Sequence, residues 1–200
     1  FSFYQTVAET KFDLLRQKTE STVGNLVADS ILWRVNQLQY NPEDPSSRAV
    51  AALEVNGVIR DDLLKGKSGH LSVADIFTVF PLGIGMDDTL GYPLLSFYIT
   101  GAEFKDSLEV MASLAPIKNP NFNLQISGLR FTYNPLRVPL DKVTKIELQQ
   151  LDGSFKELDY SSSNKTLYRV AANHYNTSLL GLIDHFTKGI LKLQPKYKNG

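Results

Sequence analysis

The side chains of this 200-residue chain that could do chemistry are few and far apart. His70, His174 and His185 are its only histidines, and none stands at ligand spacing with carboxylates. A dinuclear phosphoesterase needs several Asp, His and Asn ligands to hold two ions about 3.5–4 Å apart. No such set appears. Nor does the chain carry a Gly-rich phosphate loop, a serine nucleophile elbow or an H-E-x-x-H helix. The absence of cysteine excludes thiolate zinc sites, cysteine nucleophiles and disulfides. Asp87-Asp88 reads as a solvated turn, with no third ligand nearby in sequence. Hydrolysis by these residues alone is not expected, and no metal or other cofactor is assigned to this chain.

Composition narrows the class. With 42% hydrophobic and 21% charged residues the chain is an ordinary globular one, long enough to bury a sizeable core as a single domain, 1–200. Twenty-one basic residues balance twenty-one acidic ones, so no global field favours nucleic acid or an anionic membrane. No apolar run approaches the ~18 residues of a membrane span. The start at Phe1, without Met or a charged leader, reads as a mature protein or an excised domain. Asn164-Lys165-Thr166 and Asn176-Thr177-Ser178 fit the glycosylation pattern and are read as coincidence.

The elements that must position any site follow from periodicity and caps. Val23, Leu26, Val27, Ile31, Leu32 and Val35 fall on one helical face, predicting a helix over 23–36 capped by Ser21 or Thr22, with Trp33 on the buried side. Residues 41–47 read as a loop, and Ala49 to Val55 as a buried strand ending in the Asn56-Gly57 turn. Ser72-Val73-Ala74-Asp75 is a capping box opening a helix that Pro81 ends. Leu94 to Ile99 reads as a strand, and Thr100-Gly101-Ala102-Glu103 opens a helix to about Leu114. Residues 124–133, 143–151 and 166–172 read as strands, with Asp152-Gly153 as a hairpin turn, and 177–188 as a helix. Interleaved strands and helices with a late hairpin predict an α+β fold with a mixed sheet and flanking helices.

Five segments carry a family resemblance by their order. They are Glu20 to Ser30, with its Gly24-Asn25 pair; Asn56-Gly57-Val58-Ile59-Arg60; Thr78 to Gly83; Gln125 to Arg130; and Tyr168-Arg169-Val170-Ala171 leading to Tyr175-Asn176. Over roughly residues 15–182 this set resembles the C-terminal, nucleoside-recognising domain of the 5'-nucleotidase family. The resemblance implies a substrate-binding role. It also implies an N-terminal metallophosphoesterase domain outside this sequence, carrying two divalent metal ions and the catalytic His–Asp pair. It further implies an exported, periplasmic or extracellular, nucleotide-catabolising hydrolase.

Carried over residue by residue, the resemblance places one base-stacking ring at Tyr175. The opposite face falls at Leu82, where the family has an aromatic residue. A ring stacks a base at ~1–3 kcal/mol with little regard to its identity, whereas Leu82 offers only an aliphatic wall. Arg60 ends a loop one residue shorter than the family's N-G-G-G-I-R, and its guanidinium can grip phosphate or carboxylate. Asn56 opens that loop. Arg16 and Lys18 lie where the family's basic residues precede the first helix. The family's ribose-binding Asp is replaced by Gly181, which implies weak nucleotide or nucleoside binding with little help from ribose. Each assignment has a plainer alternative. Tyr175 and Leu82 can be core residues, Arg60 can pair with Asp61 or Asp62, Asn25 and Asn56 can be cap or turn residues, and His174 a surface histidine. The domain as a whole can serve as an interaction scaffold, or recognise a phosphorylated or sulfated molecule that lacks a ribose.

Overall fold

The computed structural model describes residues 2–84, 88, 91–116, 121, 123–178, 187–191 and 193–199. Within them the chain runs β1 (Thr6–Glu9), α1 (Thr22–Gln39), β2 (Ala49–Val55), β3 (His70–Ser72), α2 (Val73–Val79), β4 (Leu94–Thr100) and α3 (Gly101–Glu109). β5 (Leu124–Ser127), β6 (Leu129–Tyr133), β7 (Val143–Gln149), β8 (Phe155–Glu157), β9 (Leu167–Asn173) and α4 (His174–Ser178) follow. The fold is α+β. Its central sheet has the order β4-β9-β2-β5 and is mixed, with β2 parallel to β9 and the other neighbours antiparallel. A three-stranded antiparallel sheet, β6-β7-β8, and the small β1-β3 pair complete it.

The helices begin where their sequences cap them. Ser21 accepts from the Gly24 N–H at the start of α1, while Ser72 and Thr100 each form a reciprocal capping box with Asp75 and Glu103. Such caps satisfy backbone donors that a helix start leaves unpaired, at about 1 kcal/mol each. α1 lays Ile31 and Val35 on Ala49, Ala52 and Ala171 of the central sheet. On the opposite face, Phe104 and Leu108 of α3 meet Ala51, Ile99 and Val170, and are covered by Val143, Ile146 and Leu148 of β7. Alanines in the sheet give α1 a close approach, and the bulky side chains gather on the α3 side. A third cluster joins Val55, Val58, Ile59, Leu63, Leu71 and Val79 at the end of β2. That end carries the candidate site.

Three sequence expectations change in detail. Trp33 is 61% exposed, not buried. Small alanines on the sheet draw the Ile31–Val35 side inward, which turns the indole to solvent. The strand expected over 124–133 is two strands in two sheets, because Gly128 adopts φ +78° and redirects the chain. The helix expected to run to Leu114 keeps its α geometry only to Glu109 and continues as a π-helical turn over Val110–Leu114. Much of the helix expected over 177–188 lies outside the described residues.

Gly128 is needed for two reasons. Its backbone is left-handed, and a Cβ there would lie 2.3 Å from the Val50 carbonyl oxygen. Gly128→Ala is therefore expected to destabilise the fold by at least about 2 kcal/mol. A lower urea midpoint at unchanged slope is the measurement that checks it.

Candidate functional site

Residues before α1 have no repetitive partner of their own, yet three consecutive carbonyls there are held by side-chain amides. Gln17 O accepts from Asn56 Nδ2 at 2.9 Å, Lys18 O from Asn123 Nδ2 at 2.5 Å, and Thr19 O from Gln125 Nε2 at 2.8 Å. Asn56 and Gln125 are 0% and 1% exposed. The two meet each other at 3.5 Å, and the Gln125 carbonyl accepts the Ser21 N–H at 3.1 Å. Buried amides are stabilising only when satisfied, so each fixes the strand segment it bonds. Gly24 belongs to the same device. A Cβ at that position would sit 2.2 Å from Gln125 Oε1, so only glycine lets the helix approach the amide. Asn25, one residue on, is half-buried at the helix start and donates to Glu20.

This clamp presents the basic residues. Arg16 is half-buried; its Nε donates to Ile59 O at 2.6 Å and its own N–H to Asp62 Oδ1 at 2.5 Å. The segment bearing Arg16 therefore lies against the Asn56–Arg60 turn. Ile59 N–H returns to Asn56 O, which tightens that turn, and Arg60 N–H donates to Val79 O at the end of α2. Neither acid considered as a partner for Arg60 is bonded to its guanidinium. Asp62 takes the Arg16 N–H and Asp61 takes the Asp62 N–H. The Arg60 side chain is exposed, with no ion pair to a described residue. Lys18 is also exposed, held through its carbonyl.

The apolar candidates approach from the other side. Leu82 follows Val79 by three residues and is half-buried against the cluster containing Ile59 and Val79. The next residue, Gly83, accepts the Gly91 N–H at 2.8 Å, which brings the segment after Leu82 beside Gly91-Tyr92. Tyr92 in turn meets Tyr175 edge-to-face, with ring centroids 6.0 Å apart, and stacks on His174 at 6.3 Å. Tyr175 is 38% exposed, and its N–H is fixed by the Asn173 side chain. Tyr175 is thus a surface ring with one edge packed. A chain of contacts links Arg16, Asn56 and Arg60 to Val79, the segment around Leu82, Tyr92 and Tyr175. Gly181, His185 and Asp87 lie outside the described residues.

Three residues of this region escaped the sequence reading, Tyr92, Asn123 and Glu54, and a fourth, Gln125, was noted only as the start of a segment. Tyr92 had only its place between Gly91 and Pro93 to mark it. Asn123 and Gln125 looked like ordinary loop and strand polarity, although Gln125 sits between Leu124 and Ile126 in a short apolar strand. Glu54 carried the clearest signal, a carboxylate inside Ala51-Ala52-Leu53-Glu54-Val55. It is fully buried on β2, and burial pushes its carboxyl up to about 8. Among the described residues no three His, Asp or Glu side chains gather as metal ligands. A separate cavity of about 320 Å³ lies between the start of α1 and β5–β6, lined by Asn25, Asp29, Ile126, Arg130 and Phe131 among others.

Comparison with known proteins identifies the family. The family model described as "5'-nucleotidase, C-terminal domain" matches residues 5–187. The chain belongs to that family. Among solved structures, the 5'-nucleotidase precursor of Thermus thermophilus superposes with a TM-score of 0.70 at 27% identity, covering 96% of this chain and 33% of its own. The NAD nucleotidase of Haemophilus influenzae gives 0.68 at 16% identity over 94% of this chain and 31% of its own. A sulfate thiohydrolase of T. thermophilus gives 0.55 at 20% identity over 86% and 27%. The chain spans about a third of the length of these structures. No curated protein sequence matches it.

In this 5'-nucleotidase C-terminal domain the Gln125 amide holds both the Arg16 segment and the start of α1. Gln125→Ala removes bonds to Thr19 and Ser21 and leaves a buried gap, with an expected loss of about 2–4 kcal/mol. Amide hydrogen exchange should accelerate first at residues 16–22. Protection there equal to that of the wild-type chain would show that the clamp contributes nothing.

Proposed function

We propose that this chain is the substrate-recognition domain of a 5'-nucleotidase-like phosphoester hydrolase. It presents an anionic ester to a metallophosphoesterase domain outside this sequence and performs no bond cleavage itself. The observation that carries the reading is the exposed Arg60 guanidinium, without an acidic partner among the described residues while both neighbouring aspartates are engaged elsewhere. A free guanidinium on a turn bonded to the Arg16 segment suits an anionic group, which it binds through charge-assisted, often bidentate hydrogen bonds. In this reading Lys18 adds charge at the rim, Asn56 shapes the turn, and Tyr175 takes up a flat apolar group, with Leu82 behind it. Tyr92 joins Tyr175 as the second ring of the region, meeting it edge-on, so the pair forms a corner and not a parallel slot.

The two divalent ions are part of the same reading: the resemblance assigns them to the metallophosphoesterase domain and not to residues of this chain. No step is routed through them here. The ligand class is a nucleotide or nucleoside bound weakly, in an exported, periplasmic or extracellular protein. No described helix is long and apolar enough to cross a membrane. The fold alone does not fix the substrate, since it is shared by a 5'-nucleotidase precursor and a sulfate thiohydrolase.

Titration calorimetry with AMP tests the reading. Tyr175→Ala is expected to weaken AMP by about 5- to 150-fold, the equivalent of ~1–3 kcal/mol of stacking. Arg60→Ala should weaken AMP but leave adenosine almost unchanged. Adenosine and adenine should bind with similar affinity, because Gly181 cannot accept from ribose hydroxyls. AMP binding indifferent to both substitutions would instead support the scaffold reading. The chain alone is expected not to hydrolyse AMP with added Mn²⁺, Zn²⁺ or Co²⁺. Metal-dependent turnover lost on substituting His70, His174 or His185 would contradict this.

A further inference from the structure

The central sheet ends differently at its two edges. On β4, Tyr98 and Lys196 exchange both main-chain hydrogen bonds, at 3.0 Å each, so the C-terminal segment covers that edge. β5, at the other edge, pairs with β2 alone. The Asn56 N–H donates to Asn123 O at 2.7 Å, one step before Val55 pairs with Leu124. Antiparallel pairs alternate between bonded and non-bonded, so the main-chain groups of Gln125 and Ser127 point to β2 and those of Leu124 and Ile126 point away from it. No described residue bonds the main chain of Leu124 or Ile126. A bare edge is a template for another extended strand, and natural edges are blunted by charge, proline or a covering segment. Leu124-Gln125-Ile126-Ser127 has neither charge nor proline.

Leu124 and Ile126 also line the cavity of about 320 Å³, whose two walls differ in character. On the α1 side stand Glu20 and Asp29, both exposed and without an ion pair among the described residues. Asp29 accepts from Ser127 Oγ at 2.5 Å and Glu20 from Asn25 Nδ2 at 3.1 Å, so a neighbour holds each carboxylate in place. On the other side Met111 and Phe131 pack with Ile126 against the core beneath α3 and remain partly exposed. Arg130, the cation among the lining residues, is already paired with Glu147 at 2.9 Å and lies over the Phe155 ring. The cavity thus offers unmatched negative charge on one wall, apolar surface on the other and main-chain groups between them.

We propose that β5 is a strand-addition site for an extended peptide whose side chains alternate between basic and apolar. Successive side chains of a strand point to opposite faces. A strand laid beside Leu124 and Ile126 therefore turns its basic residues to Glu20 and Asp29 and its apolar ones to Met111 and Phe131. The N–H groups of Leu124 and Ile126 donate to its carbonyls, and their carbonyls accept its N–H groups. Main chain supplies the grip and the two walls supply the selectivity. The volume sits at the small end of the ~300–1,000 Å³ usual for ligand pockets, which suits a few residues of a peptide. A second copy of this edge is a poor occupant, because each copy would have to insert its edge between the walls that enclose the other. Neither Arg60 nor Tyr175 lines this cavity, so the site is independent of the substrate reading.

The test is an NMR titration of the 200-residue chain with a capped heptapeptide of alternating lysine and valine. The expected result is saturable binding that shifts the Leu124 and Ile126 amides and slows their hydrogen exchange several-fold. Glu20→Gln combined with Asp29→Asn keeps the bonds to Asn25 and Ser127 but removes the charge. That pair should weaken the peptide by about 2- to 30-fold, the range of two exposed ion pairs, with amide shifts away from the cavity unchanged. The fully N-methylated peptide should not bind, and a peptide with its lysines and valines in separate blocks should bind several-fold more weakly. Equal binding of the N-methylated or block peptide would mean attraction to charge alone and overturns the proposal. So does an affinity unmoved by the double substitution, shifts centred on Arg60 or Tyr175, or no binding at all. Protection of Leu124 and Ile126 that grows with protein concentration in the absence of peptide also overturns it, since the occupant is then a second copy.

Discussion

Everything near the candidate site depends on buried amides reaching sideways to backbone that has no sheet or helix to join. Residues 17–19 run past the ends of β2 and β5, where a carbonyl would otherwise need water. Asn56, Asn123 and Gln125 each donate one N–H to one of those carbonyls. Such bonds are modest individually, about 1 kcal/mol net, but leaving their buried ends unpaired costs more than forming them gains. Correct placement of Arg16 therefore comes with correct folding of β2 and β5. The same amides require Gly24, because the helix must come within touching distance of Gln125.

The consequence is a division between a rigid floor and an exposed rim. Beneath lie Val55, Val58, Ile59 and Val79, a closed apolar cluster with half-buried Leu82 packed on it. Above stand Arg60, Lys18 and Tyr175, whose working groups are exposed. Arg16 joins the two levels, since its guanidinium bonds the Ile59 carbonyl and its backbone bonds Asp62. Leu82 belongs more to the floor than to the rim.

The helices and most strands were legible because their signals are local. A capping box is four residues long, and Ser72 to Asp75 and Thr100 to Glu103 both act as their sequences indicate. What failed was relational. Gly128 looks like a neutral interruption until Val50 is placed against it, and Trp33 looks like a core residue until the alanines of β2 and β9 decide which side of α1 is drawn in. Asn56 and Arg60 were named from an ordered set of motifs and Arg16 from its place before the first helix; Arg16 bonds Ile59 of the Asn56–Arg60 turn, and Asn56 bonds the neighbouring Gln17 carbonyl. Gln125 and Asn176 were not singled out as structural partners, because an amide on a strand or a helix start announces nothing until its acceptor is known. Glu54 stands as a charge in an apolar run, and nothing local in the sequence tells what faces it.

The central claim is that segments from five parts of the chain make one ligand surface. Its most direct test is a crystal structure of the chain soaked with AMP. The phosphate should lie within hydrogen-bond reach of Arg60 on the side facing Arg16, with the adenine against the exposed face of Tyr175. AMP seated in the cavity by Asn25, Asp29 and Phe131, with Arg60 and Tyr175 untouched, would contradict the account.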